Sequence, residues 1–141
     1  MVDNTLLAKG IADIRDAVMR IREVLPQDSE RFAQDRAARE IVVLNLFVAL
    51  QHCLTLATHW LADEGRSVPD HYRDVFRTLA ERSVIEAGLA ARLGVATGLR
   101  NLIAHRYGVL DSARIHAIAS SDLDDLLDFC TQLARKAGSG S

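Results

Sequence analysis

Proline, cysteine and aromatic side chains are all scarce in this 141-residue chain: 2 Pro, 2 Cys, and aromatics at 5%. Few prolines leave long helices uninterrupted, and few aromatics require a largely aliphatic core. The two cysteines, Cys53 and Cys130, both fall inside helical patterns. That excludes a disulfide framework and suits buried thiols in a reducing compartment. The most apolar run, Ile41 to Leu50, is too short to span a membrane and contains Asn45. The first 25 residues alternate charged and apolar positions, unlike a signal peptide. The chain is therefore expected in the cytoplasm, away from any membrane.

Sequence motifs are also missing. There is no strand pattern, no internal repeat, no Gly-rich phosphate loop after a strand, no Gly-x-Ser-x-Gly and no His-Glu-x-x-His. His52 and His59 share a helix face with Asp63, but no further His or Cys has the spacing of a closed zinc set. No metal and no cofactor are expected, and His71 and His116 read as surface residues. Net charge is -2 with a pI near 6.2, which argues against strong non-specific binding to nucleic acid.

What is present is helical periodicity. Leu7, Ile11, Ile14, Val18, Ile21 and Leu25 recur at steps of four and three, which predicts an amphipathic helix ended by Pro26. A long helix is expected from about Glu30 to Glu64. Its middle is apolar nearly all round, so it should be central, with part of its cover supplied by another subunit. Ser67-Val68-Pro69-Asp70 and Ser83-Val84-Ile85-Glu86 both have capping-box spacing. The first should open a short helix with Val75, Phe76 and Leu79 inward. The second should open a helix carrying Leu89, Leu93, Leu99 and Ile103. Asp111 and Ser112 can cap a short piece, and Ser121-Asp122-Leu123-Asp124 starts a last helix. The length suits one domain, and the fold class is all-α. An up-and-down bundle of four to five helices over residues 1–137 is expected, with 138–141 a flexible tail or cloning scar.

One stretch concentrates chemistry: Arg100-Asn101-Leu102-Ile103-Ala104-His105-Arg106-Tyr107. At about 100° per residue, Asn101 and His105 are one turn apart. Arg100 and Tyr107 lie on a neighbouring line, and Ala96, Leu99, Leu102 and Ile103 fall on the opposite, apolar side. Gly108 follows where a left-handed residue commonly stops a helix. His105 then lies in the last turn, where unpaired carbonyls favour imidazolium. Such a face can grip a phosphate gaining charge. It can equally be a set of solvated side chains.

Arg100-Asn101, three residues, His105, any residue and Tyr107 resemble the RX4HXY signature of the HEPN superfamily, in particular the HepT toxins of HepT–MntA toxin–antitoxin pairs. Ile41-Val42-Val43-Leu44-Asn45-Leu46 and Ala57-Thr58-His59 resemble the long central helix of that family. The resemblance runs from about residue 5 to 135. It implies the toxin of a type VII-like toxin–antitoxin system: a metal-independent endoribonuclease acting on tRNA or mRNA. Its catalytic residues would be Arg100, Asn101 and His105. It also implies that a cognate MntA-like nucleotidyltransferase antitoxin adenylylates Tyr107, placing a bulky anion in a cleft meant for RNA phosphates. Tyr107 is as readily a helix-end aromatic packed on the last helix. Arg106 stands at the variable position and can add to an RNA-binding surface, with Arg92 or Arg114.

The residues themselves add one argument. Cleavage at the RNA 2′-hydroxyl needs a base and an acid, and the motif supplies a single His. A symmetric homodimer with both motif helices at its interface would supply two. Two other functions stay open. One is a non-catalytic HEPN dimer that presents substrate or nucleotide to a separate nucleotidyltransferase; the other is a plain dimerisation scaffold.

Overall fold

The computed structural model describes residues 3–106 and 111–139, with 104–106 described by their backbone alone. Among the described residues there are seven helices and no strand. The all-α expectation holds. Helix α1 spans Asn4–Val24, α2 Ser29–Gln34, α3 Arg36–Asp63, α4 Tyr72–Glu81, α5 Ala87–Arg106, α6 Ser112–Ser121 and α7 Leu123–Ser139.

Helix α1 forms as its spacing predicts, with Leu7, Ile11, Ile14, Val18 and Ile21 buried. Its N-cap Asp3 accepts from the backbone N–H groups of Thr5 and Leu6 at 2.9 and 3.1 Å, satisfying donors that the first turn leaves unpaired. Gly10 lets α1 press onto α3. A Cβ built there would meet Leu56 Cδ2 at 2.7 Å and Cγ at 2.9 Å, so only a residue without a side chain permits this approach.

The single long helix expected from Glu30 to Glu64 is two helices. Asp35 ends α2 and caps α3 in one residue: its backbone is extended (φ -99, ψ 94), and its carboxylate accepts from the Ala38 N–H at 3.0 Å. An Asp competes with the helix for backbone donors, and here it wins. Helix α3 touches all six other helices. That is why apolar residues ring it rather than forming a stripe. As a whole helix it is long and apolar enough to cross a membrane by length and composition, a possibility the Ile41–Leu50 run alone hid. Half of that apolar window, 50%, is buried inside the bundle. One line of α3 stays outside: Leu44 is 61% exposed, and Ile41, Phe47, Val48, Gln51 and Thr55 beside it are half-buried.

The two expected capping boxes do not form. Helix α4 starts at Tyr72 with no side-chain cap. The Ser67 register would put Val68 in the helix directly before Pro69, where the proline ring disfavours helical backbone. Ser83 does not open α5; it closes α4. It adopts φ +60, its N–H donates to the Ala80 carbonyl at 2.9 Å, and the Val84 N–H reaches Leu79 at 2.9 Å. That is a left-handed C-terminal stop, of the kind Gly65 (φ +74) makes after α3. The Glu86 N–H ahead of α5 is taken by the Gln132 side chain at 2.8 Å. Asp111 does cap α6, accepting from Ala113 at 3.0 Å.

The core is aliphatic, but not wholly so. Phe32, Phe76 and Phe129 are fully buried, and Phe76 meets Phe129 edge-on at 5.8 Å. His116, expected at the surface, is buried: its Nε2 lies 2.7 Å from the Pro26 carbonyl, and its ring packs on Phe32 at 5.5 Å. With the Ser120 hydroxyl 3.5 Å from Nδ1, both ring nitrogens have a polar partner, which suits that interior. Cys53 and Cys130 are free, buried thiols. Burial pushes Cys53 well above the ordinary thiol range, and raises Cys130 from 9.0 to about 11. Helix α7 continues through Gly138 and Ser139, so the first half of the expected tail is helical.

Candidate active site

The site is built on the second half of α5. Leu99 and Ile103 are buried, at 2% and 8% exposure, and fix the rotation of the helix on the core. Two residues before Leu99, Thr97 is also buried, its hydroxyl donating to the Gly94 carbonyl at 2.7 Å. With that side inward, Asn101 is exposed and Arg100 is half-buried at the boundary. The backbone of α5 is helical through Arg106, which puts His105 in its last turn. The side chains of His105 and Arg106, and the whole of Tyr107 and Gly108, lie outside the described residues.

Arg100 is held from three helices. Its Nε donates to Gln51 Oε1 of α3 at 2.8 Å, and its Nη1 donates to Asn101 Oδ1 at 3.0 Å. The guanidinium carbon lies 5.4 Å from the centre of the Phe47 ring on α3 and 5.7 Å from that of Tyr72 on α4. Phe47 and Gln51 are four residues apart and so share a face of α3. Gln51 Nε2 is 3.4 Å from the Thr55 hydroxyl one further turn on, so both ends of the amide have a partner. Sequence reasoning missed Phe47, Gln51 and Tyr72. Gln51 was visible only as a polar break in an apolar helix.

Arg100 differs from the arginines that join helices by ion pairs. Arg22 pairs with Asp124 at 2.8 Å, Arg82 with Glu64 at 3.5 Å and Arg92 with Asp125 at 3.0 Å. Among the described residues, no carboxylate pairs with Arg100; its partners are two amides and two rings. Arginine stays charged throughout the accessible pH range, so this cation keeps its full attraction for an anion. Arg92, one of the residues expected to add positive potential, is instead committed to Asp125. Arg114 is exposed on α6, beside a cavity of about 380 Å³ that Arg92 also lines. Asn101 presents its Oδ1 to Arg100 at 3.0 Å, and whatever it does toward the His105 ring lies outside the described residues. His52 lies 3.7 Å from the Asp13 carboxylate, and His59 is exposed.

A model of the family described as ribonuclease HepT-like matches residues 14–133, a span that includes Arg100, Asn101, His105 and Tyr107. The chain belongs to the ribonuclease HepT-like family. Among curated proteins it is similar to the mRNA nuclease HepT of Shewanella oneidensis, 29% identical over 126 residues, which cover 89% of this chain and 94% of the relative. Among solved structures it is similar to a tri-AMPylated HEPN toxin from Shewanella oneidensis in complex with an MNT antitoxin. The TM-score is 0.85 with 28% identity, covering 94% of this chain and 99% of the other. A toxin–antitoxin structure with AMP-PNP gives a TM-score of 0.86 at 27% identity over the same shares. In this HepT-like chain Arg100 stands in the second half of α5, which packs on the long central α3.

Proposed function

We propose that this HepT-like protein is the toxin of a toxin–antitoxin pair and a metal-independent endoribonuclease that cuts tRNA or mRNA in the cytoplasm. The observation that carries the reading is Arg100: a half-buried guanidinium at a helix end, fixed by neutral groups and paired with no carboxylate among the described residues. An arginine held this way is ready for a phosphodiester. The Shewanella oneidensis relative, named an mRNA nuclease, supports RNA as the substrate class.

The chemistry uses the substrate's own nucleophile. His105 takes the proton of a 2′-hydroxyl, and the 2′-oxygen attacks the adjacent phosphorus. The bond to the 5′-oxygen breaks, and that oxygen takes a proton from the His105 of a second copy. Arg100 holds the non-bridging oxygens as their charge rises. Asn101 orients the groups around it, and Arg106 adds to the RNA-binding surface. The symmetric homodimer this requires is supported by the outward line of α3. Leu44 is 61% exposed there, one turn before Phe47, whose ring lies beside Arg100. A large aliphatic side chain left in water at that place favours a partner surface.

Silencing follows the relatives' pattern. A cognate nucleotidyltransferase antitoxin transfers AMP to Tyr107, and the added anion repels RNA phosphate from the cleft. The test is direct. His105→Ala is expected to abolish RNA cleavage and growth arrest with the helical fold intact, and retained cleavage removes His105 from the mechanism. Tyr107→Phe is expected to eliminate the mass increase of AMP when the protein is incubated with its antitoxin and ATP.

A further inference from the structure

We infer that Gln51 is a positioning residue for the reaction, and that it acts through Arg100 by fixing the guanidinium without cancelling its charge. The inference rests on the ribonuclease reading above. It extends the site from one helix tip to a second helix that the motif does not include.

Three observations carry it. The Arg100 Nε–H, the donor nearest the side-chain stem, is taken by Gln51 Oε1 at 2.8 Å. Of the five N–H donors of a guanidinium, a second goes to Asn101 Oδ1 at 3.0 Å. The remaining three have no partner among the described residues, and in the proposed reaction they are the donors left for a phosphodiester. The Gln51 amide has a second contact, Nε2 to the Thr55 hydroxyl at 3.4 Å, which tethers its other end. A flipped amide would set its NH2 against the Arg100 Nε–H, so Arg100 selects the orientation with the oxygen toward it, and the Thr55 hydroxyl takes the amide nitrogen. Finally, Phe47 and Tyr72 flank the guanidinium at 5.4 and 5.7 Å, attracting it through ring quadrupoles that carry no net charge.

Elsewhere carboxylates tie arginines across helices: Asp124 on Arg22, Asp125 on Arg92. A glutamate in place of Gln51 would have the same length and an equivalent acceptor oxygen. It would also put a counter-charge on Arg100 and compete with the substrate phosphate. A neutral acceptor at this position therefore has a chemical consequence that its hydrogen bond alone does not have.

That difference defines the experiment. Gln51→Glu and Gln51→Ala are compared with the parent and with Arg100→Ala. Cleavage is followed on total tRNA. Binding is followed on a fluorescein-labelled single-stranded RNA of mixed sequence across a salt series, with His105→Ala in every binding protein to prevent turnover. Gln51→Glu is expected to keep or raise Tm, lower kcat/KM by about tenfold or more, and reduce the slope of log affinity against log salt by about 0.7, the share of one phosphate contact on single-stranded RNA. Gln51→Ala, which loosens the guanidinium and leaves its charge, is expected to lower kcat while keeping the parental salt slope. A merely structural Gln51 would not split the two variants in this way.

Parental kcat/KM and salt slope in Gln51→Glu would overturn the assignment while leaving the ribonuclease reading intact. Should Gln51→Glu fold poorly, undiminished kcat in Gln51→Ala overturns it equally. A parent protein that neither binds nor cleaves RNA, or an Arg100→Ala protein that cleaves normally, overturns the ribonuclease reading and this assignment with it.

Discussion

At the scale of single residues, spacing told which side chains face outward, and contacts told what they do there. Arg100 and Asn101 could be placed on a polar face by counting a hundred degrees per residue. Nothing in the count brought Phe47, Gln51 or Tyr72 to the same guanidinium, because they come from other helices. His116 shows the reverse case. Its polar type and helical position read as surface, while a carbonyl at 2.7 Å and the Phe32 ring made an interior site for it. The two cysteines were legible as buried thiols, and burial gives them a measurable consequence. Cys130 is raised from 9.0 to about 11, and Cys53 also upward. The folded state therefore keeps these thiols protonated when the unfolded chain has begun to lose their protons. Stability should be complete below pH 9 and decline as the pH rises toward about 11. Urea unfolding across that window is expected to show the decline, and Cys130→Ala to remove part of it. An identical pH profile in that variant would contradict the shift.

At the scale of helices, periodicity located the elements well and their ends less well. Five inward positions of α1 and the inward trio of α4 fall where they were expected. The misplaced boundaries share a cause. A capping motif is a local pattern, and Ser, Asp and Glu compete for several backbone donors at once. Asp35 split one expected helix into two, and Ser83 ended a helix in place of starting one. The second case makes a prediction. A non-glycine residue in the left-handed region costs roughly 1–2 kcal/mol, whereas glycine loses about 0.5–1 kcal/mol of additional chain entropy on folding. Ser83→Gly is thus expected to stabilise the protein by about 0.5–1 kcal/mol, raising Tm by a few degrees. A lower Tm would mean that the Ser83 side chain makes a stabilising contact.

At the scale of the whole molecule, one helix organises everything. Helix α3 touches each of the other six helices, supplies Phe47 and Gln51 to the arginine, and leaves Leu44 outward. The proposed dimer and the proposed catalysis therefore meet on the same line of side chains. Leu44→Asp is expected to convert a dimer to a monomer by light scattering and to lower RNA cleavage at least tenfold, with an unchanged circular dichroism spectrum. A parent protein that is monomeric at micromolar concentration would remove the composite cleft.

Sequence by itself determined the fold class, the central place of the apolar helix, the outward face of Asn101 and the family resemblance. Each depends on a periodic or contiguous pattern, and a helix converts such a pattern into direction with little ambiguity. Only the tertiary structure decided which helices end where, and which groups hold Arg100. The acceptor that fixes Arg100 is 49 residues away in the chain. Contacts at that separation depend on how helices pack against each other, and helical spacing within one segment carries no information about the segment it will meet.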